Sequence, residues 1–150
     1  MAKNTVKIKS YLSIHDELTA AGAITPGHLI YRTSANKVAV HATAGGPAQK
    51  MFAMEDAYQG RKITDAYNTT TYAHVICWLP TPGDRVYAIF DPTSGGSVAL
   101  GDFVESAGDG SVRKYTPAAS GAILELTNAV IGVALEAQTT PGGRVTIEII

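Results

Sequence analysis

The sequence predicts an all-β fold, a small barrel-like domain built from short antiparallel strands and hairpins. Gly and Pro recur at fairly even intervals along its 150 residues, and the segments between them are too short for long helices. Many of these segments are rich in Val, Ile, Thr and Tyr, the residues enriched in strands. Ala, Gly and Thr make up 53 residues, whereas charged residues make up 17%, against about 25% in typical domains. This composition disfavours helical bundles, coiled coils and disordered chains.

The first predicted strand lies at residues 6–9, where Val6 and Ile8 alternate with Lys7 and Lys9. Two later segments are ambiguous. Residues 12–21 fit a short helix, with a serine as N-cap and an aspartate three residues on. Residues 49–58 have apolar side chains at helical spacing but also strand-like alternation, and residues 51–55 are interpreted as a strand.

Three hairpins are predicted from strand-like segments that flank turn signals. The paired segments are 29–31 with 38–40, 103–104 with 112–115, and 131–137 with 145–150. Two further segments, 75–79 and 86–90, are apolar on both faces. They are therefore predicted to be strands that are covered on both sides.

A short motif occurs three times at predicted strand entrances, as Pro26-Gly27-His28, Pro82-Gly83-Asp84 and Leu100-Gly101-Asp102. Glycine tolerates a positive φ at such a turn, and a His or Asp side chain can bond to nearby backbone. The motif is read either as a diverged duplication or as the ordinary likeness of short β-turns. In both cases it marks turns and not a catalytic site.

Composition and charge disfavour two classes of partner. A net charge of -1 supplies no basic field for a phosphate backbone, so nucleic acid is not expected as a partner. No apolar run approaches the roughly 20 residues of a membrane helix, and the N-terminus lacks the apolar core of a signal peptide. The single cysteine, Cys77, lies in an apolar run and is predicted to be a buried small hydrophobic residue.

No catalytic, cofactor-binding or metal-binding residues are predicted. The sequence has no phosphate-binding loop, and no two of its four histidines lie within four residues of each other. Most aspartates adjoin Gly or Pro, as turn residues do. A scattered Ser, His and Asp triad stays open, although nothing in the spacing favours one. Trp78 is read as a core residue in preference to an interface anchor.

An ordered set of short strings resembles the capsid decoration, or cement, proteins of tailed bacteriophages. The strings are Ile24-Thr25-Pro26-Gly27-His28-Leu29-Ile30, His41-Ala42-Thr43-Ala44-Gly45-Gly46, Phe52-Ala53-Met54-Glu55-Asp56, Gly60-Arg61-Lys62-Ile63-Thr64-Asp65-Ala66-Tyr67, Pro82-Gly83-Asp84-Arg85-Val86-Tyr87-Ala88, Leu100-Gly101-Asp102-Phe103-Val104, Gly108-Asp109-Gly110 and Ile131-Gly132-Val133-Ala134-Leu135-Glu136-Ala137. The resemblance covers residues 24–150.

This resemblance implies a barrel-like decoration domain over residues 24–150 and a homo-oligomer, commonly a trimer. It implies binding to the major capsid protein on the outer surface of the assembled virion shell, after synthesis in the host cytoplasm. It implies no catalysis and no cofactor. The expected function is therefore a structural one, in which the protein cements neighbouring capsid subunits.

Residues 1–23 lie outside the resemblance and are predicted to form an N-terminal arm. The strand at residues 6–9 has no hairpin partner next to it in sequence, and pairing with another chain would satisfy its backbone. The expected capsid or subunit contacts are Val6, Lys7, Ile8, Lys9 and Tyr11. The alternative is an ordinary first strand within the chain's own barrel.

Two other functions remain open at this point. The first is a β-barrel module that binds a receptor or a carbohydrate, which an exposed aromatic platform near Trp78, Tyr87 or Tyr115 would favour. The second is a small hydrolase, which needs a concave cluster of Asp or His with Ser.

Overall fold

The computed structural model describes residues 3–93, 96–117 and 129–150, and within them eleven strands form two sheets. The first two residues of the predicted arm, and residues 94–95 and 118–128 of the predicted body, lie outside this part. The strands are β1 Lys7–Lys9, β2 Ile14–Ala20, β3 Ile30–Ser34, β4 Lys37–Val40, β5 Phe52–Met54, β6 His74–Leu79, β7 Arg85–Ile89, β8 Phe103–Ser106, β9 Val112–Lys114, β10 Gly132–Ala134 and β11 Arg144–Ile149. A 3-10 turn spans Ala57–Gln59. The all-β prediction is confirmed.

The first sheet has six strands in the order β1-β7-β11-β10-β8-β9, all antiparallel to their neighbours. Strand β11 lies inside this sheet, between β7 and β10. Its alternating apolar residues Val145, Ile147 and Ile149 are all buried. The last strand of the chain is therefore part of the core.

The second sheet has five strands in the order β3-β4-β2-β6-β5, and only β2 and β4 are parallel. The sheet curves until its edge strands β3 and β5 approach each other. Leu29, next to β3, forms an isolated bridge with Phe52 of β5. Backbone bonds also join Ile30 N to Met51 O at 2.9 Å and Ala53 N to His28 O at 3.0 Å. These contacts make the sheet barrel-like, but the two sheets do not form one closed barrel.

The apolar core has two parts, one on each face of strands β5 and β6. Phe52 and Trp78 face the cluster shared with the six-stranded sheet, whereas Ala53, Val75 and Cys77 face the second cluster. The prediction that residues 75–79 form a strand covered on both sides is therefore confirmed. Residues 51–55 contain β5, and the three predicted hairpins are confirmed as β3–β4, β8–β9 and β10–β11.

The short helix considered for residues 12–21 is not formed, because Ile14–Ala20 is strand β2. Six residues of β2 pair in register with β6, which satisfies backbone groups that a helix would have bonded internally. The serine considered as an N-cap accepts a hydrogen bond from Lys7, and Asp16 pairs with Arg32 instead. Long-range strand pairing has overridden the local pattern.

Within residues 7–20, the predicted N-terminal arm pairs with strands of the same chain. Strand β1 pairs with β7, with a register irregularity between Lys7 and Lys9, and β2 pairs with β4 and β6. The backbone groups that a free arm would offer to another subunit are thus bonded within the same chain. This arrangement corresponds to the alternative of an ordinary first strand.

The repeated turn has the geometry that its sequence predicts. Gly27, Gly83 and Gly101 have φ values of 96°, 91° and 90°, which favour glycine. The residue after each glycine donates its N–H to the carbonyl three positions earlier, at 3.0, 3.0 and 3.1 Å. Strands β3, β7 and β8 begin one to two residues later, so the motif marks strand entrances.

Candidate interaction surface

The structure divides the five predicted contact residues between core and surface. Val6 is fully buried, with its N–H bonded to Glu55 Oε2 at 3.0 Å, and it is therefore corrected to a core residue. Lys7 and Ile8 are half-buried. Lys9 is exposed, and Tyr11 is 71% exposed. Only Lys9 and Tyr11 of the five present most of their side chains to a partner.

The loop that carries Tyr11 is held by a buried carboxylate. Asp84 is inaccessible to solvent, and its two oxygens accept the Tyr11 N–H at 2.8 Å and the Ser10 hydroxyl at 3.3 Å. They also accept the Thr81 N–H and hydroxyl, at 2.9 and 3.1 Å. Burial acts to raise the pKa of Asp84, but these bonds outweigh burial and lower it. The loop is thereby fastened to the turn before β7.

An apolar surface lies at this end of the molecule, where β2 and β7 begin and β6 and β11 end. We call it the apical surface. Its exposed members are Tyr11, Leu12, Ile14, Pro82 and Ile150. Leu12 is 58% exposed and Ile14 47%, although both are aliphatic. The Tyr11 ring lies against Gly83, where an added Cβ would be 3.5 Å from its Cε2 atom, and Gly83 N bonds to Ile149 O at 2.8 Å.

The edge of the apical surface is basic. Lys9 Nζ lies 4.8 Å from the centre of the Tyr11 ring, and Lys7 Nζ donates to Ser13 Oγ at 2.8 Å. Within the described residues neither lysine has a carboxylate within 4 Å, whereas the nearby acids are occupied. Asp84 is buried, and Glu148 pairs with Arg85 at 3.0 Å. This arrangement suits a partner with an apolar centre and an acidic edge.

The sequence predicted only part of the apical surface. Leu12 and Ile14 were missed because residues 12–21 fitted a helix whose apolar side chains would face a core. Ile14 pairs with Leu79 at the end of β6, and no local sequence pattern predicts such a long-range contact. Asp84 was read only as a turn residue, and its bond to the Tyr11 loop spans 73 residues.

Within the described part of the chain a Ser–His pair is present, but it is buried. His41 Nδ1 lies 2.7 Å from Ser106 Oγ, and His41 Nε2 lies 3.1 Å from Pro47 O. Ser106 is fully buried and His41 is 5% exposed, so a substrate has no path to the hydroxyl in this conformation. The pair fastens the loop after β4 to β8.

Cys77 and Trp78 are both fully buried in β6, as the sequence indicated. Burial raises the pKa of the Cys77 thiol to about 12. Because Trp78 is inaccessible, it offers no platform for a sugar ring. Tyr87 is half-buried, with Lys3 Nζ 4.8 Å from its ring centre.

Within the described residues, no group of three His, Cys, Asp or Glu side chains is placed to hold a metal ion. In the same part of the chain, no helix has the length and apolar character required to cross a membrane.

Comparison with solved structures gives an informative likeness. No protein-family model matches the chain, and no curated protein matches it. Among solved structures, the chain is similar to the N base of head fiber gp8.5 of bacteriophage phi29, with a TM-score of 0.57 and 15% sequence identity. The match covers 93% of this chain and 95% of that one. The two chains share a fold.

The extent of this match bears on the N-terminal segment. Residues 24–150 make up 127 of the 150 residues, whereas the match covers 93% of the chain, which is a larger share. The shared fold with the phi29 head fiber base therefore includes part of residues 1–23. This agrees with the placement of β1 and β2 inside the two sheets.

Proposed function

We propose that this chain is a structural protein of a bacteriophage virion, which binds the outer surface of the assembled capsid and stabilises it. The observation that carries the proposal is the end-to-end fold likeness to the base of a phage head fiber. The ordered resemblance of residues 24–150 to capsid decoration proteins supports it independently, because it rests on sequence strings and not on the fold.

The apical surface is the proposed contact with the major capsid protein. Tyr11 and Leu12 provide apolar area that is exposed in the isolated chain, and Lys9 provides charge at its edge. Because Asp84 fixes the loop before any partner arrives, little loop entropy is lost on binding. A protein that binds the assembled shell and not its free subunits stabilises the shell by mass action.

The proposed assembly is a homo-oligomer, with a trimer favoured, which acts without catalysis, cofactor, nucleic acid or membrane. The low charge content and the many small residues suit close contact between copies. Each oligomer bridges neighbouring capsid subunits, so that the stabilising free energies of many modest contacts add up over the lattice.

Co-sedimentation tests this proposal. Capsid shells of the phage that encodes the chain, assembled without it, are mixed with the purified protein and pelleted. We expect saturable binding to shells and none to unassembled capsid subunits. Absence of the chain from the shell pellet would contradict the proposal.

A pair of matched variants tests the assigned surface. Tyr11→Ser with Leu12→Ser removes two apolar side chains that are 71% and 58% exposed. Leu100→Ser with Phe103→Ser removes two that are 72% and 44% exposed, around the turn that enters β8. We expect the first variant to lose shell binding and the second to retain it. Equal binding by both would refute the apical surface as the contact.

A further inference from the structure

A cleft unrelated to the apical surface lies between the N-terminal segment and the loop that follows the 3-10 turn. It has a volume of about 420 Å³ and is lined by Asn4, Arg61, Lys62, Ile63 and Thr64. A cleft of this size matches the lower range of small-molecule sites, about 300–1,000 Å³.

Both walls of the cleft are fixed by bonds to the rest of the fold. On one side, the Thr5 hydroxyl and the Val6 N–H bond to the Glu55 carboxylate. On the other side, Arg144 Nη2 donates to Ile63 O at 2.9 Å, which ties the loop to β11. The cleft is therefore formed before a ligand arrives, which lowers the entropy lost on binding.

Among the residues that the structure describes, Arg61 has no ion-pair partner. Its guanidinium carbon lies 3.6 Å from the centre of the Tyr72 ring, and Nη2 donates to Ala66 O at 2.8 Å. Nε is buried without a hydrogen-bond partner. In the described residues neither the Arg61 guanidinium nor the Lys62 ammonium has a carboxylate oxygen within 4 Å, and the nearby Asp65 carboxylate accepts the Lys62 backbone N–H at 2.8 Å.

Arg61 also lines a second, smaller pocket of about 40 Å³, together with Asp56, Gln59, Tyr72 and His74. That pocket has room for water or a single ligand group. The cleft itself presents two cations with amide and hydroxyl groups, whereas the smaller pocket adds an aromatic ring and the Asp56 carboxylate. A complementary ligand is an anion that also carries several hydroxyl groups.

We propose that this cleft binds an acidic saccharide, whose carboxylate or phosphate group contacts Arg61 and Lys62 and whose hydroxyls contact Asn4 and Thr64. The Arg61 guanidinium lies over the Tyr72 ring and keeps its charge, which attracts either anion. This site goes beyond the proposed capsid function, and a chain that binds shells but no sugar leaves that function intact.

The test is a titration of the full chain, labelled with 15N, followed by NMR. The probes are trigalacturonate, which carries carboxylates, and glycerol phosphate, with maltotriose as the neutral saccharide and inorganic phosphate as the bare anion. We expect saturable shifts at residues 4 and 61–64 with one acidic hydroxylated probe, at an affinity at least tenfold above that for maltotriose and inorganic phosphate. The probe that binds identifies the charged group.

Three variants separate binding from folding. Arg61→Gln is expected to weaken the affinity at least about tenfold, as loss of a charged hydrogen bond does, and Lys62→Gln to weaken it about threefold. Arg32→Gln, which removes a cation from an exposed pair with Asp16, is expected to leave affinity unchanged. Because Arg61 also braces its loop, Lys62→Gln decides the result if Arg61→Gln melts early.

Three outcomes would overturn the proposal. In the first, neither acidic probe produces saturable shifts. In the second, inorganic phosphate binds as tightly as the acidic probes, which shows an adventitious anion site only. In the third, folded Lys62→Gln and Arg61→Gln both bind the probe as tightly as the original chain.

Discussion

Nδ1 of His28 lies 3.1 Å from the backbone nitrogen of Thr25, and Oδ2 of Asp84 lies 2.9 Å from that of Thr81. Both side chains thus accept the N–H three residues before them, in two copies of the same turn. Each can do so only while the accepting atom carries no proton. Acid therefore weakens both turns, but over different ranges of pH.

The turn at His28 makes stability fall between pH 6.5 and pH 4. Burial lowers the pKa of His28 from 6.5 to about 4, aided by the nearby Arg144 and opposed by Asp109. As pH falls through 6.5, the unfolded chain takes up the proton before the folded chain does, so unfolding becomes more favourable. The loss for this group is complete below pH 4 and amounts to about 3 kcal/mol.

Urea denaturation at several pH values, followed by the fluorescence of the single buried Trp78, measures this effect. His28→Gln removes the titrating group while keeping a side-chain acceptor. We expect the variant to show a much smaller decrease in the free energy of unfolding between pH 6.5 and pH 4. An unchanged decrease would show that His28 is not responsible.

Asp84→Ala is expected to destabilise the protein by about 3 kcal/mol, since it removes a buried carboxylate and leaves donors of Thr81 and the Tyr11 loop without their acceptor. Asp102→Ala is the matched control. Asp102 occupies the same turn position, but it accepts one backbone N–H and pairs with the partly exposed Lys114. We expect a cost of about 1 kcal/mol there. Equal costs at the two positions would contradict the role given to burial at Asp84.

Much of this fold was predictable because its strands are short and bounded by turn residues with specific backbone requirements. The turns at Gly27 and Gly83 show the expected positive φ, and the continuous apolar run in β6 predicts a strand covered on both faces. Residues 12–21 were not predictable in the same way. Their strand depends on six pairings with β6, more than 50 residues away in sequence, and local propensity carries no information about them.

The candidate surface was predictable to a smaller extent for the same reason. The alternation at residues 6–9 indicates a half-buried strand, but it does not say whether that strand pairs within its own chain. The structure pairs it with β7 and buries Val6, so the predicted contact set is reduced to its exposed members and extended to Leu12 and Ile14.

Ile147→Ala is expected to lower the free energy of unfolding by about 3 kcal/mol, because Ile147 is fully buried in β11 between β7 and β10. Ile14→Ala makes the same chemical change at a residue that is 47% exposed, and we expect less than about 1 kcal/mol. Chemical denaturation compares the two directly. Similar costs would contradict the assignment of β11 to the core, as would soluble folding of a chain lacking residues 145–150.

The proposed oligomer is tested by light scattering of the purified chain over a range of concentrations. We expect the mass of a trimer, three times 15.7 kDa, at micromolar concentration. A monomer mass at high micromolar concentration would contradict a trimer in free solution. Light scattering of the chain bound to shells then shows whether the chain forms its oligomer only on the capsid lattice.

The most direct test of the account is the temperature at which capsid shells come apart, measured by differential scanning calorimetry with and without the saturating protein. Binding to the assembled shell alone predicts a higher disassembly temperature with the protein present, and a return to the lower value with the Tyr11→Ser, Leu12→Ser variant. An unchanged disassembly temperature with the protein bound would contradict the claim that it stabilises the capsid.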